Sequence, residues 1–351
     1  VRAALLAPSG DNCQPWSFSW DGKVLCIFHS EFRGRHALNP ANHASLISLG
    51  AVLECMRIAA SSDGYAVEST INWENVGTES AWAEVRFAAA VTVADKLAEW
   101  LDRRCTDRRR YRGGQLDAPC LRAIAAENEK NKQVAVRVAP LTPALIEFIA
   151  GCEGYVWSHP APHRDLMRWI RFNRKEAELS RDGMHWRNLA VRWWQSRVLY
   201  LISHWRRQRW VNRMGFLAER QRLVREELKS SAGVLVFSAP GREVARLPEV
   251  GRLALRTWLQ LNAGGYGVQP LTLASLTVYD AAQGLLTPEV TPEFRTHFEK
   301  GEAILRRELG LGPTERPIWM LRFGLSSPLP PGARTLRREI DSVLSWLPAA
   351  R

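Results

Sequence analysis

Ala7-Pro8-Ser9-Gly10-Asp11-Asn12-Cys13-Gln14-Pro15-Trp16, close to the start of the sequence, reads as a tight polar loop that opens onto a strand. Pro8, Ser9, Gly10, Asp11 and Asn12 are turn formers, each for its own backbone reason. Asn12 and Gln14 carry neutral amides that both donate and accept, which suits the edge of a heterocycle better than a phosphate. Trp16 begins an alternating run, and Asp21-Gly22 between two such runs marks a β-hairpin over 16–28. On composition alone this is an ordinary loop ahead of a hairpin.

Working outward, a helix is expected from near Asn42, with Leu46, Gly50, Leu53 and Ile58 near one face and a stop at Gly64. Strands follow at 65–71 and 82–91, then a short helix at 95–103. Another helix and strand fill 113–139, and Thr142-Pro143 opens a helix with a cap residue and proline at the first position. Residues 164–229 show long helical periodicity crowded with Arg and Trp. Trp194, Val198, Leu201 or Ile202, and Trp205 recur there at helical spacing. A strand at 233–239, a helix at 247–264, a strand near Val268, a helix at 292–309, a strand at 318–323 and a basic helix from about Thr335 complete the chain. Gly50 precedes Gly64-Tyr65-Ala66-Val67 by the same fourteen residues that separate Gly251 from Gly265-Tyr266-Gly267-Val268. Two helices that both end on glycine would give this, and so would two copies of one unit.

The 351 residues allow one large or two ordinary domains, and the 46% apolar content excludes a disordered chain. No apolar run approaches the ~20 residues of a membrane span. The first residues show no basic stretch followed by an apolar block. Six cysteines lie scattered without a Cys-x-x-Cys pair or a histidine cluster. Neither zinc nor a disulfide framework is expected, and a reducing cytoplasm is the expected compartment. The net charge of +12 asks for an anionic partner: a phosphate-bearing cofactor, a nucleic acid or an acidic surface.

Arg103-Arg104-Cys105-Thr106-Asp107-Arg108-Arg109-Arg110-Tyr111 sharpens that choice. As a charge run it is a solvated surface. Arg104, Thr106 and Arg108 alternate, however, so in extended backbone they face one way. Two guanidinium forks with a hydroxyl between them suit a phosphate monoester. A further basic pair, Arg337-Arg338, follows the strand at 319–324.

The first loop, Pro-Ser-x-x-Asn-x-Gln-Pro-Trp, is similar to the flavin-contacting segment of the nitroreductase family. Pro8, Ser9, Asn12, Gln14, Pro15 and Trp16 fill its distinctive positions. Arg104-Thr106-Arg108 resembles the family's Arg-x-Ser/Thr-x-Arg segment, which grips the phosphate of flavin mononucleotide (FMN). Arg337 and Arg338 stand where the family places basic residues after its last strand. The layout resembles the tandem branch of the family. That implies an α+β fold of two nitroreductase-like units in one chain, a pseudo-dimer with central sheets flanked by long helices. The units would be 1–102 and 103–351, with an Arg/Trp-rich helical insertion at about 160–230 in the second.

The resemblance implies one FMN site across the two halves, with Pro8, Ser9, Asn12, Gln14, Arg104, Thr106, Arg108, Arg337 and Arg338 as cofactor-binding candidates. No catalytic acid or base is assigned. The implied reaction is ping-pong hydride transfer from NAD(P)H through FMN to a small organic acceptor. No metal is expected, and neither nucleic acid nor membrane is the expected partner. A homo-oligomer and a longer parent chain both stay open. The rival functions are a flavin-sequestering protein, and a basic nucleic-acid or membrane-surface binder acting through the Arg/Trp helices. The simplest reading of those helices packs their Trp face on the core and leaves Arg in water; the functional reading makes them a lid.

Overall fold

The Asp21-Gly22 turn forms as its chemistry requires. Asp21 Oδ1 accepts from the N–H groups of Lys23 and Val24 at 2.8 and 2.7 Å, and Gly22 takes φ +95°. From this hairpin outward, a computed structural model describes residues 1–346. The first half holds β1 (Trp16–Trp20), β2 (Val24–His29), α1 (Glu31–Gly34), α2 (His43–Ser62), β3 (Tyr65–Ile71) and β4 (Ala81–Ala89). Next come α3 (Ala118–Lys130), β5 (Ala135–Ala139) and α4 (Pro143–Ser158). The Arg/Trp region contains α5 (Pro160–Arg168), β6 (Ile170–Arg171), α6 (Arg174–Ser180), β7 (Met184–His185), α7 (Trp193–Leu201), α8 (Trp205–Arg213) and α9 (Phe216–Lys229). The chain closes with β8 (Gly233–Pro240), α10 (Leu247–Ala263), β9 (Tyr266–Pro270), α11 (Leu276–Ala281), α12 (Pro292–Glu308), β10 (Glu315–Leu325) and β11 (Leu344–Trp346).

The architecture is α+β. One sheet has the order β11-β1-β2-β4-β3 and the other β5-β8-β10-β9. Without β11, the two have the same plan. Three antiparallel pairings join first, second, fourth and third strands, and a long helix connects the second to the third. Those helices, α2 and α10, pack directly on each other. An added Cβ at Gly50 would lie 1.8 Å from the Pro248 carbonyl oxygen, and one at Gly251 would lie 1.8 Å from that of Ile47. Each helix therefore presents its glycine to the other's backbone. Beyond each helix, Gly64 (φ +77°) and Gly265 (φ +82°) turn the chain into β3 and β9.

Charge ties the same centre together. Arg256 on α10 donates from Nη1 to Glu54 Oε1 of α2 at 2.9 Å and to Asp95 Oδ2 at 2.7 Å, and from Nε to Glu127 Oε1 of α3 at 2.9 Å. By length and composition α2 would cross a bilayer, although the sequence showed no such run. Most of it is buried inside the protein, as a core helix.

Two expectations about secondary structure are corrected. The tail from Thr335 is not a basic helix. It runs extended, makes a single 3-10 turn at Ile340–Ser342, and pairs as β11 parallel to β1. Its backbone gains ladder partners on an open sheet edge, and that overrides local propensity. The 95–103 helix is reduced to a 3-10 turn at Ala98–Trp100. The Arg/Trp region is broken into short helices and includes the parallel pair β6–β7.

One partly buried histidine makes this fold acid-sensitive. His29 stacks on Trp82 with 4.1 Å between ring centres, and its Nε2 lies 2.9 Å from Ser45 Oγ. Burial pulls its imidazole down from 6.5 to about 4. The unfolded chain therefore binds this proton first, and stability drops as pH falls from about 6.5 toward 4. His29→Phe is expected to flatten that part of the profile, read as the change in thermal midpoint between pH 7 and pH 4.5. An unchanged slope would contradict it.

Candidate functional site

The opening loop is held in an unusual conformation. Asp11, Asn12 and Gln14 all take positive φ, at 48°, 57° and 48°, around a 3-10 turn at Gly10–Asn12. Three left-handed non-glycine residues in four positions cost free energy, so surrounding contacts must hold them. Asn12 Nδ2 donates to the carbonyls of Gly183 (2.9 Å) and Leu336 (3.0 Å), while its Oδ1 accepts from Arg337 Nη1 at 2.7 Å. Gln14 Nε2 donates to the Arg181 carbonyl at 2.9 Å, and its Oε1 accepts from the Arg338 N–H at 2.9 Å. Ser9 Oγ accepts from the Gln14 N–H at 3.0 Å. The two amides thus bind the Arg/Trp region and the C-terminal tail to the loop.

Over this loop lies a cleft of about 650 Å³, counting its open mouth. Four stretches of chain line it. The loop gives Leu6, Pro8, Ser9, Asp11 and Asn12, and the segment after the first sheet gives Leu101, Asp102, Arg104, Cys105, Thr106 and Arg108. The Arg/Trp region gives Met184 and Asn188, and the tail gives Ala333, Arg334, Thr335 and Arg337.

The alternation at 104–108 holds only in part, because Cys105 lines the cleft as well. Arg104, Thr106 and Arg108 face the cleft. Asp107 turns to the other side, bonding Arg109 and Ser326 through its carboxylate. Arg104 is buried over the Trp258 ring at 4.6 Å, with Nη2 3.4 Å from the Leu6 carbonyl. Arg108 donates to the Asn188 carbonyl at 3.2 Å and lies 3.1 Å from Met184 Sδ. Arg337 Nη1 donates to Thr335 Oγ1 at 2.6 Å as well as to Asn12.

None of these three guanidiniums forms an ion pair with a carboxylate among the described residues. The Nε atoms of Arg104 and Arg337 are buried without a hydrogen-bond partner. Burial lowers the affinity of all three for their protons. For Arg337 the cause is first burial and then the Arg104 charge. Asp11 and Asp102 also line the cleft; burial raises the Asp11 carboxyl, while His36 and Arg108 pull the other way. A cluster of desolvated cations with unused donors is a site for an anion.

Of the nine candidates, Pro8, Ser9, Asn12, Arg104, Thr106, Arg108 and Arg337 line the cleft. Gln14 is fully buried beneath the loop, and Arg338 bonds the carbonyls of Trp16 and Ser342. Sequence reasoning missed Arg334, an exposed cation at the mouth, although it belongs to the same basic run. Met184 and Asn188 gave no signal, because nothing local marks a residue that a helical region brings back to a distant loop.

The fold and cleft define an α+β protein with a basic cleft lined by four separate stretches of chain. Its sequence is similar to that of a nitroreductase. It is 25% identical over 349 residues to the probable NAD(P)H nitroreductase PigM of Serratia sp. (strain ATCC 39006), covering 91% of this chain and 90% of that protein. No family model matches the chain. Among solved structures, a nitroreductase-like family protein from Bacillus cereus is 11% identical with a TM-score of 0.35, covering 72% of this chain and 96% of that one. The FMN-dependent nitroreductase NfnB from Mycobacterium smegmatis, in complex with NADPH, is 15% identical with a TM-score of 0.36, covering 70% and 97%.

Proposed function

We propose that this chain is an FMN-dependent oxidoreductase of nitroreductase type, passing hydride from NAD(P)H to a small organic acceptor in ping-pong order. The observation that carries this reading is the set of three desolvated guanidiniums, Arg104, Arg108 and Arg337, without carboxylate partners in one cleft. They fit the phosphate of FMN, with the Thr106 hydroxyl between the first two. Bound FMN would supply the hydride chemistry. The chain's own part is to bind and orient. Arg104 and Arg337 offer unused Nε–H donors to the phosphate. Asn12 and Gln14 keep the loop in its strained shape by clamping the walls, and Leu6, Pro8 and Leu101 give the cleft an apolar side. Hydride transfer between stacked rings needs mainly alignment, so no side-chain acid is required for the first half-reaction.

The equal strand plans and the reciprocal Gly50 and Gly251 contacts support two copies of one unit, 1–102 and 103–351. In this reading the tail of the second unit completes the sheet of the first through β11, and both units build one site. The segment around Arg181–Asn188, bonded over the loop, supports reading part of the Arg/Trp region as a wall that narrows access.

The test is the visible spectrum of the purified protein, followed by anaerobic addition of NAD(P)H. A flavin spectrum that bleaches quickly is expected. Bound flavin that stays oxidised would replace the oxidoreductase with a flavin-holding protein. If added FMN does not bind, the reading of the three arginines fails.

A further inference from the structure

The Arg/Trp region does not pack as its spacing suggests. On α7 the inward face is Ser196 and Leu199, continued by Ile202, and on α8 it is Gln208. Of the spaced set, Trp194, Val198 and Leu201 face out, whereas Ile202 is buried and Trp205 half-buried. Around the first three, Trp193 is 69% exposed, Trp210 60%, Tyr200 59% and Met214 67%. Seven large apolar side chains thus stand in water on two adjoining nine-residue helices and the residue that follows them. Scattered exposed apolar residues are ordinary, but a concentration of this kind marks a contact surface.

Its charge is equally one-sided. Between Gly183 and Ala218 there are seven arginines and no aspartate or glutamate, in a chain with 36 acids. On the segment itself, Arg192, Arg197, Arg206, Arg207, Arg209 and Arg213 form no ion pair with a described carboxylate. Flanking helices behave differently: Arg174 pairs with Glu178, Arg222 with Glu219, and Arg225 with Glu147. Unpaired cations among exposed tryptophans fit an anionic surface with an apolar layer beneath it.

We propose that the α7–α8 segment docks on an anionic lipid surface, with Trp193, Trp194, Trp210, Leu201 and Met214 entering the headgroup boundary and the arginines meeting lipid phosphates. Interfacial helices combine basic residues with Trp and aliphatic side chains in this way, and tryptophan favours the headgroup level. Nucleic acid fits less well. Bases stack on aromatic and guanidinium planes but offer nothing to Val198, Leu201 and Met214. The segment follows directly after Met184 and Asn188 in the chain, so a docked protein would hold its cleft near the lipid. The proposal does not depend on what occupies that cleft.

The experiment is co-sedimentation of the full chain with phosphatidylcholine vesicles, with and without roughly one-third phosphatidylglycerol, at low and at physiological salt. Binding to the anionic vesicles, weakened by salt and accompanied by a blue shift of tryptophan emission, is expected. W193S/W194S/W210S and R206Q/R209Q/R213Q should each lower vesicle affinity about tenfold or more, with the thermal midpoint unchanged because every substituted side chain is exposed. Failure to bind anionic vesicles at low salt would overturn the proposal, as would full binding by both variants. Tight binding to a single-stranded oligonucleotide without vesicle binding would assign the face to nucleic acid. A concentration-dependent dimer abolished by the tryptophan variant, again without vesicle binding, would assign it to a second copy of the chain.

Discussion

Arg104→Met is expected to weaken FMN binding by about 30-fold to several thousand-fold, while leaving the protein without cofactor as stable as before, or more so. The two halves of this result have one cause. Arg104 is buried, lies over Trp258, and has no carboxylate partner among the described residues. An uncompensated buried cation costs free energy until an anion meets it. Removing it relieves that cost in the empty protein and withdraws a charge-assisted partner from the phosphate, a loss of roughly 2–5 kcal/mol in binding. Quenching of FMN fluorescence on titration measures the first half, and thermal unfolding without FMN measures the second. A residue that merely supported the fold would give the opposite pattern, with lower stability and little specific change in affinity.

Arg337 carries a second charge toward the same site. Burial and the Arg104 charge lower its affinity for its proton, but a guanidinium stays cationic across the pH range of folded proteins. Arg337→Gln is therefore expected to weaken FMN binding by about tenfold or more in the same fluorescence titration. Unchanged affinity would remove Arg337 from the phosphate site.

Gly50→Ala and Gly251→Ala are each expected to destabilise the protein by about 3 kcal/mol or more. Alanine normally favours a helix over glycine by ~1 kcal/mol, so a site with room would gain stability. Here the new methyl carbon would sit 1.8 Å from a backbone carbonyl oxygen of the opposing helix. A carbonyl fixed in a helix cannot rotate away as a side chain can, so α2 and α10 must separate along their shared contact, which includes the Arg256–Glu54 pair. The urea midpoint should drop for both variants. Because both glycines serve one contact, the double variant should cost less than the two single costs combined. A more stable G50A protein would mean that the helices do not meet there.

Much of the fold could be read locally. The Asp21-Gly22 hairpin, the Thr142 cap and the helix ends at Gly64 and Gly265 follow from short-range chemistry: a side-chain acceptor for free N–H groups, or a glycine where φ is positive. The 104–106–108 alternation was also legible, since a period of two needs only extended backbone. What failed needed distant partners. The tail became a strand because β1 had an open edge more than 300 residues upstream. Trp194, Val198 and Leu201 faced outward, while Ile202, the other choice at its turn, went inward beside Leu199. Both faces are amphipathic, and spacing alone does not rank them.

By itself, then, the sequence determined the hairpin, the long central helices with their matched glycines, and the alternating Arg104-Thr106-Arg108 segment. These depend on backbone preference and side-chain chemistry within a few residues. Only tertiary structure decided that Asn12 and Gln14 spend their amides on the walls, that Arg337 joins Arg104 and Arg108, and that Met184, Asn188 and Arg334 complete the cleft. Those groups lie up to about three hundred residues apart. What brings them together is packing of α2 on α10 and the return of the tail to β1, which no local propensity encodes.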